Sequence, residues 1–285
     1  MKDFPDIVTL RLTSKCNNNC KYCYAGPTTN KGDMSFQKLE RLFRLFHDKG
    51  AKAVVLGGGE PLLRGDFDKI LLELKKHNLQ IYLDTNGDLF FNHEKPILEN
   101  VEQLGLPIDF PDTSYRNPEN LSNILKILDY LKQHKKRPKI RIGTVVTQDN
   151  IAHLPEIGEL IRDYPVDLWK LYEFIPQYGN ALKNKASLEV GEQAFIAAAN
   201  AAKKRFSKYF RVLISKRKSR TNAYFFIDSD GLVFMPIDKK GFCGYLDIGD
   251  VFEEDIVERW EMHVRKTKYL RNAWFTFDQN SAPKT

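Results

Sequence analysis

Three cysteines fall close together in Cys16-Asn17-Asn18-Asn19-Cys20-Lys21-Tyr22-Cys23, and they are three of the chain's four. A thiolate is a soft ligand for iron, zinc or copper, and the intervening Asn residues turn the backbone readily, so one loop can bring all three to one metal centre. Structural zinc sites and ferredoxin-type clusters take four ligands. A triad therefore leaves one position for a group that is not protein. Two other readings stand beside this one: thiols packed as small hydrophobes, or a zinc site completed by Cys243 or a histidine. A disulfide within the run would leave one thiol over.

A second stretch able to meet a ligand is Gly57-Gly58-Gly59-Glu60-Pro61. Consecutive glycines let the backbone approach a bound molecule, and Glu60 can accept from an ammonium group. Cations gather at Lys135-Lys136-Arg137 with Lys139, and at Lys216-Arg217-Lys218-Ser219-Arg220. The first cluster ends an amphipathic pattern and suits a helix C-terminus. The second is either a solvated turn or an anion clamp, with Arg as a fork and Lys as a point charge. Lys170 lies inside an apolar run, where an ordinary core places no charge.

The elements that must position these residues alternate in type. Short apolar runs predict strands at Ile7 to Leu12, Ala53 to Leu56, Gln80 to Asp84, Leu106 to Phe110, Ile140 to Val146 and Leu168 to Ile175. Helical spacing fills the gaps: Phe36 to Asp48, Phe67 to His77, Lys95 to Leu104, Asn120 to His134 and Leu154 to Tyr164. This is a βα rhythm, and it predicts an α/β fold, a partial (βα)6 TIM-like barrel over residues 1–176. The cysteine loop, the glycine turn, Thr85-Asn86-Gly87 and Asp112-Thr113-Ser114 all follow strands, so they should share the barrel mouth. Residues 177–285 change pattern and predict an α+β extension covering the barrel and shaping the substrate site. It holds a helix at Glu189 to Tyr209, a strand at Phe210 to Ile214 and a hairpin of Ala223 to Ile227 with Leu232 to Phe234. A last helix from Asp255 to about Tyr269 and a disordered tail from Gln279 follow.

At 285 residues, with 42% hydrophobic and 28% charged side chains, the composition is that of a globular chain able to bury a full core. The first residues are too polar for a signal peptide, and no apolar run reaches membrane-spanning length. Cytoplasmic residence is expected, in keeping with reduced thiols. A net charge of +7 favours an anionic partner.

The cysteine spacing, with Tyr22 before the last thiol, resembles that of the radical S-adenosylmethionine (SAM) superfamily. The resemblance implies a 4Fe-4S cluster on Cys16, Cys20 and Cys23, with the amino and carboxylate groups of SAM on the remaining iron. Gly58, Gly59 and Glu60 match the family's GGE motif, which contacts the methionine amino group. Tyr22 would pack beside the adenine, Asn86 would face the mouth, Thr144 would reach the ribose, and Phe174 with Ile175 would close over the adenine. The implied chemistry is reductive cleavage of SAM to a 5′-deoxyadenosyl radical that abstracts hydrogen from substrate, with flavodoxin or ferredoxin as electron donor. No general acid or base is needed for that step, so the six His residues need no catalytic role.

The second half resembles the viperin-like and molybdenum-cofactor-cyclase-like branch, where a Trp-Lys pair on the sixth strand and a basic loop hold a nucleotide. Trp169-Lys170 and Lys216, Lys218 and Arg220 occupy those places, and they imply a small anionic substrate, a nucleotide or nucleotide-sugar. The chain departs from viperin in having no N-terminal amphipathic helix and in its spacing from Lys170 to Lys216. A radical SAM enzyme acting on tRNA or a ribosomal peptide is the alternative within enzymes; a zinc-binding structural protein is the alternative outside them. One C-terminal cysteine, Cys243, is too few for a second cluster and reads as a packed or chance thiol.

Overall fold

The computed structural model describes residues 2–23, 32–112, 116–239 and 242–266, the side chains of residues 238, 239, 242 and 243 excepted. The βα rhythm appears as β1 (Ile7–Thr13), α1 (Phe36–Asp48), β2 (Ala53–Gly58), α2 (Phe67–Lys76), β3 (Gln80–Asp84), α3 (Glu94–Asn100), β4 (Gln103–Pro107), α4 (Asn120–Lys132), β5 (Lys139–Val146), α5 (Leu154–Ile161) and β6 (Leu168–Glu173). Two short helices, α6 (Gly179–Lys183) and α7 (Lys185–Leu188), lead into α8 (Glu192–Phe206) and β7 (Arg211–Ser215). A basic turn of helix, α9 (Arg217–Arg220), precedes β8 (Phe226–Ile227), β9 (Leu232–Lys239), β10 (Phe242–Asp250) and α10 (Ile256–Glu261). No described helix is long and apolar enough to cross a membrane.

All described strands join one sheet in the order β10-β9-β8-β1-β2-β3-β4-β5-β6-β7, and β1 to β7 are parallel. Apolar residues on alternate strand positions, Val8, Leu10 and Leu12 on β1 for example, face the helices and fuse with Leu39, Leu42, Phe43 and Phe46 of α1 in the main core. Each such side chain contributes about 1.5–3 kcal/mol by leaving water. Ser35 caps α1 by accepting from the Lys38 amide, so sequence and structure agree on where that helix begins. The intervening strand positions point into the barrel lumen, floored by the small cluster Ile7, Ala53, Tyr82 and Val55.

Three boundaries differ from the sequence reading. The fourth strand begins at Gln103 instead of Leu106, because Gly105 is a strand residue and not a turn: a Cβ there would collide with Arg141 and Asp84, which meet across it. One more βα unit, α8 and β7, follows the predicted six, and β7 lies parallel beside β6. The predicted hairpin is present, Phe226 opposite Phe234, but β9 pairs again with β10, a strand whose glycines and bulge near Asp247 and Gly249 hid it from pattern reading. The tail from residue 279, the last residues of the final predicted helix, Thr113, Ser114 and the Cys243 side chain lie outside the described residues.

Candidate active site

The cysteine loop follows β1 at the mouth and is gripped from two sides. Asn17 and Asn18 donate to Oδ2 of Asp88 at 3.1 and 3.0 Å, and Asn117 joins them at 2.7 Å. Asn120 and Asn123 reach its other oxygen at 2.9 and 3.4 Å, so five side-chain amides converge on one carboxylate. From the opposite side, α6 presents Asn180 to Asn19 Oδ1 and to the Cys20 carbonyl, Asn184 to the Lys21 carbonyl, and the Ala181 amide to the Cys23 carbonyl. The intervening asparagines therefore tie the loop down as well as turn it.

Cys16 is exposed, Cys20 buried and Cys23 between the two, and all three are reduced. Burial pushes the Cys20 thiol up to about 11, against the pull of Arg116, and burial also raises Cys16. A bound metal reverses that balance, because it takes the thiolate. As thiols they are not drawn into a metal-holding group with one another or with any described His, Asp or Glu. Their chemistry nevertheless suits an iron-sulfur cluster: three sulfurs on one tethered loop, with the Asn18 amide donating to Cys16 Sγ and Arg116 to Cys20 Sγ, both at 3.4 Å.

The glycine turn after β2 lies directly on this loop. Gly59 N donates to Thr13 O and Glu60 N to Lys15 O, both at 2.8 Å. Gly58 has φ +140°, and a Cβ on Gly58 or Gly59 would strike the backbone of Thr13 or Lys15. Close chain packing requires these glycines, whatever ligand lies above them. Glu60 is buried and accepts from Thr85 Oγ1 at 2.6 Å, Asn86 N at 2.7 Å and Leu62 N at 3.1 Å. Burial raises its pKa while these donors oppose the rise. Three donors leave it room for one more, which an ammonium would fill.

Tyr22 and Phe174 belong to one apolar cluster with Cys20, Cys23 and Val145, a wall beside the thiols that does not include Ile175. The Tyr22 hydroxyl donates to Asp109 and accepts from Arg116 at 2.6 Å, a buried network that the sequence reading missed. Asn86 faces the mouth, its side chain donating to Asn17 Oδ1 at 2.7 Å. Thr144 is elsewhere. Its hydroxyl donates to Ile108 O at 2.5 Å and accepts from Trp169 Nε1 at 2.9 Å, among the residues that face the helices, so Val145 is the β5 residue packed beside Tyr22 and Phe174.

Deeper in the lumen the charge changes sign. Lys170 rests over the Tyr172 ring at 4.8 Å, and Arg220 approaches the same ring at 5.5 Å. Arg141 pairs with Asp84, yet its buried Nε has no acceptor. Burial, with Arg141 and Arg220 nearby, lowers Lys170 to about 7, and Asp84 is the carboxylate that opposes the shift. Lys216 lies at the edge of this region, beside β7. Lys218 points to solvent and bonds Glu192 at 3.0 Å, as Arg217 bonds Glu189 at 2.8 Å. The structure thus brings Lys170 and Arg220 together and sends Lys218 outward.

Comparison with known proteins is consistent with this geometry. A family profile described as the Radical SAM superfamily matches residues 10–161. An AdoMet-dependent heme synthase of Oleidesulfovibrio alaskensis is 24% identical over 93% of this chain and 76% of its own length. A GTP 3′,8-cyclase of Lactiplantibacillus plantarum is 29% identical over 65% of this chain, and a probable GTP 3′,8-cyclase of Methanothermobacter thermautotrophicus is 28% identical over 62%. The matches span little more than half of those cyclases, 59% and 56%. Among solved structures, anSMEcpe with bound AdoMet and a Kp18Cys peptide superposes with a TM-score of 0.69 at 21% identity, covering 92% of this chain and 83% of that one. Streptococcus suis SuiB bound to S-adenosylmethionine gives 0.66 at 15%, covering 81% and 60%. These two establish the partial-barrel fold. The zinc reading gives way to the family match, and the chain belongs to the radical SAM superfamily, whose enzymes work with a 4Fe-4S cluster and S-adenosylmethionine.

Proposed function

We propose that the protein cleaves SAM reductively and removes a hydrogen atom from a small anionic substrate held in the barrel lumen, with a nucleotide or nucleotide-sugar favoured. The observation that carries the substrate class is the cluster of basic side chains at Tyr172, with Lys170 and Arg220 against its ring and Arg141 close by, paired to Asp84. Gathering positive charge in a buried place is costly, and a phosphate entering the lumen would stabilise it. The GTP cyclases among the relatives support the nucleotide; of the Trp169-Lys170 pair only Lys170 faces the lumen, since Trp169 packs against Phe206 and Phe210 on the helix side.

Cys16, Cys20 and Cys23 would hold the cluster, which when bound with SAM supplies one-electron cleavage and a hydrogen-abstracting radical. Asp88 and α6 fix the loop that presents the thiols. Glu60 orients the SAM ammonium, while Tyr22 and Phe174 wall off the adenine side and exclude water. Asn86 holds Asn17 and, through its amide, Glu60. Lys170 and Arg220 place the substrate anion below the mouth, with Lys216 at the edge of the same region. Lys218 contributes positive field from outside. An acidic flavodoxin or ferredoxin is the electron donor in this proposal.

The test is anaerobic. The reconstituted, reduced protein is given SAM, and 5′-deoxyadenosine is quantified with and without a panel of nucleoside mono-, di- and triphosphates. Acceleration by one nucleotide, lost in Lys170→Met, is the expected result. Cleavage that no nucleotide changes would remove the nucleotide and leave the peptide or tRNA reading.

A further inference from the structure

The parallel sheet ends at β7, which among the described residues pairs with β6 alone. Arg211 N donates to Asp167 O, so by the alternation of a parallel ladder the backbone groups of Arg211, Leu213 and Ser215 face β6. Those of Val212 and Ile214 face away. Along this edge runs a cleft of about 840 Å³ that follows the whole strand and reaches across to α8. Its walls carry Lys170, Lys203, Lys208, Arg211 and Lys216, and no Asp or Glu among the described residues.

We infer that this edge is a docking site for an acidic segment of a partner protein, which binds in extended form as an added strand beside β7. Unpaired amides and carbonyls on an edge strand are a template for a further strand. Lysines on an edge usually bar pairing. Here four of the five cations lie outside β7, on α8, at the strand's two ends and on β6, while the residues offering their backbone are Val212 and Ile214. The cations thus select the charge of the incoming strand without blocking the ladder. They also disfavour a second copy of this chain, whose own cations would face these. Lys170 and Lys216 are shared with the proposed substrate region, but Lys203, Lys208, Arg211 and the outward amides of β7 are not, so the inference stands without the substrate reading.

The experiment uses the whole protein and three short synthetic peptides: alternating Glu and Val, alternating Lys and Val, and alternating Glu and Pro. Fluorescence anisotropy should show the Glu-Val peptide binding, more weakly as salt rises, while the Lys-Val peptide does not bind. Hydrogen exchange at Val212 and Ile214 should slow on binding. Ile214→Pro removes one outward donor without touching the β6 ladder, and it should weaken binding by about tenfold, as should Lys203→Glu with Lys208→Glu. Nucleotide-stimulated cleavage should persist in these variants. Equal binding by the Glu-Pro peptide with no amide protection would reduce the edge to a charged surface and overturn the inference. So would the absence of Glu-Val binding, or a self-association that Ile214→Pro abolishes. The exchange measurement decides the matter even if the proline variant fails to fold.

Discussion

The mouth and the lumen of this barrel are built on opposite principles. At the mouth the polar groups named above find partners: Glu60 takes three donors, Asp88 takes five amides, and the Tyr22 hydroxyl lies between Asp109 and Arg116. In the lumen, Lys170 has an aromatic face instead of a carboxylate, and Arg141 keeps an orphaned Nε. A satisfied network holds its shape without help, whereas an unsatisfied one stores a preference for whatever completes it. Under the proposed function, the contrast separates residues that would position the cofactors from residues that would meet the substrate.

The largest expected effect lies at the mouth. Changing Cys16, Cys20 or Cys23 to Ala should abolish both iron content and 5′-deoxyadenosine formation, read by iron analysis and product quantification. Next comes Lys170→Met, which should lower nucleotide-stimulated cleavage by about a hundredfold, the loss of roughly 3 kcal/mol for a buried charged contact, and should leave the fold as stable or more so. Its pH dependence sharpens the point. Lys170 titrates near 7 in the folded chain against 10.5 as the reference, so between those values the unfolded chain binds the extra proton and stability rises with pH. The stability advantage of Lys170→Met should be full at and below pH 7 and fade toward pH 10, measured by urea unfolding of both proteins.

Asp88→Ala should do the reverse of Lys170→Met, costing about 2 kcal/mol as the amides lose their acceptor and reducing iron retention. If the two substitutions destabilise alike, the division between mouth and lumen fails. The smallest effect is expected for Thr144→Val, about 1 kcal/mol from the hydrogen bonds to Ile108 and Trp169, with SAM affinity unchanged. A weakened SAM affinity, measured by equilibrium dialysis, would restore Thr144 to the ribose.

What could be read in the sequence was what is local. The cysteine run, the glycine turn and the apolar faces of α1 and α8 each lie within one element, and spacing alone reveals them. Asp88 could not be read that way, because its five donors come from the cysteine loop, the approach to α4 and the first turn of α4 itself. The same holds for Asp84 with Arg141, 57 positions apart, and for Tyr22, Asp109 and Arg116. Gly105 was the one visible trace of the lumen pair, a glycine inside a strand whose missing side chain makes room for two others. Thr144 misled because alternation fixes the face a residue occupies only once the strand's register is known.

β8 returns late in the chain to lie beside β1, where Thr9 N bonds Phe225 O and Arg11 meets Asp228. The loop that follows β1 is likewise held by Asn180 and Asn184. On a ribosome adding about 5–20 residues per second, the thiols emerge about 10–40 s before the residues that embrace β1. A nascent chain would spend that interval with its three thiols held by neither α6 nor β8, open to alkylation.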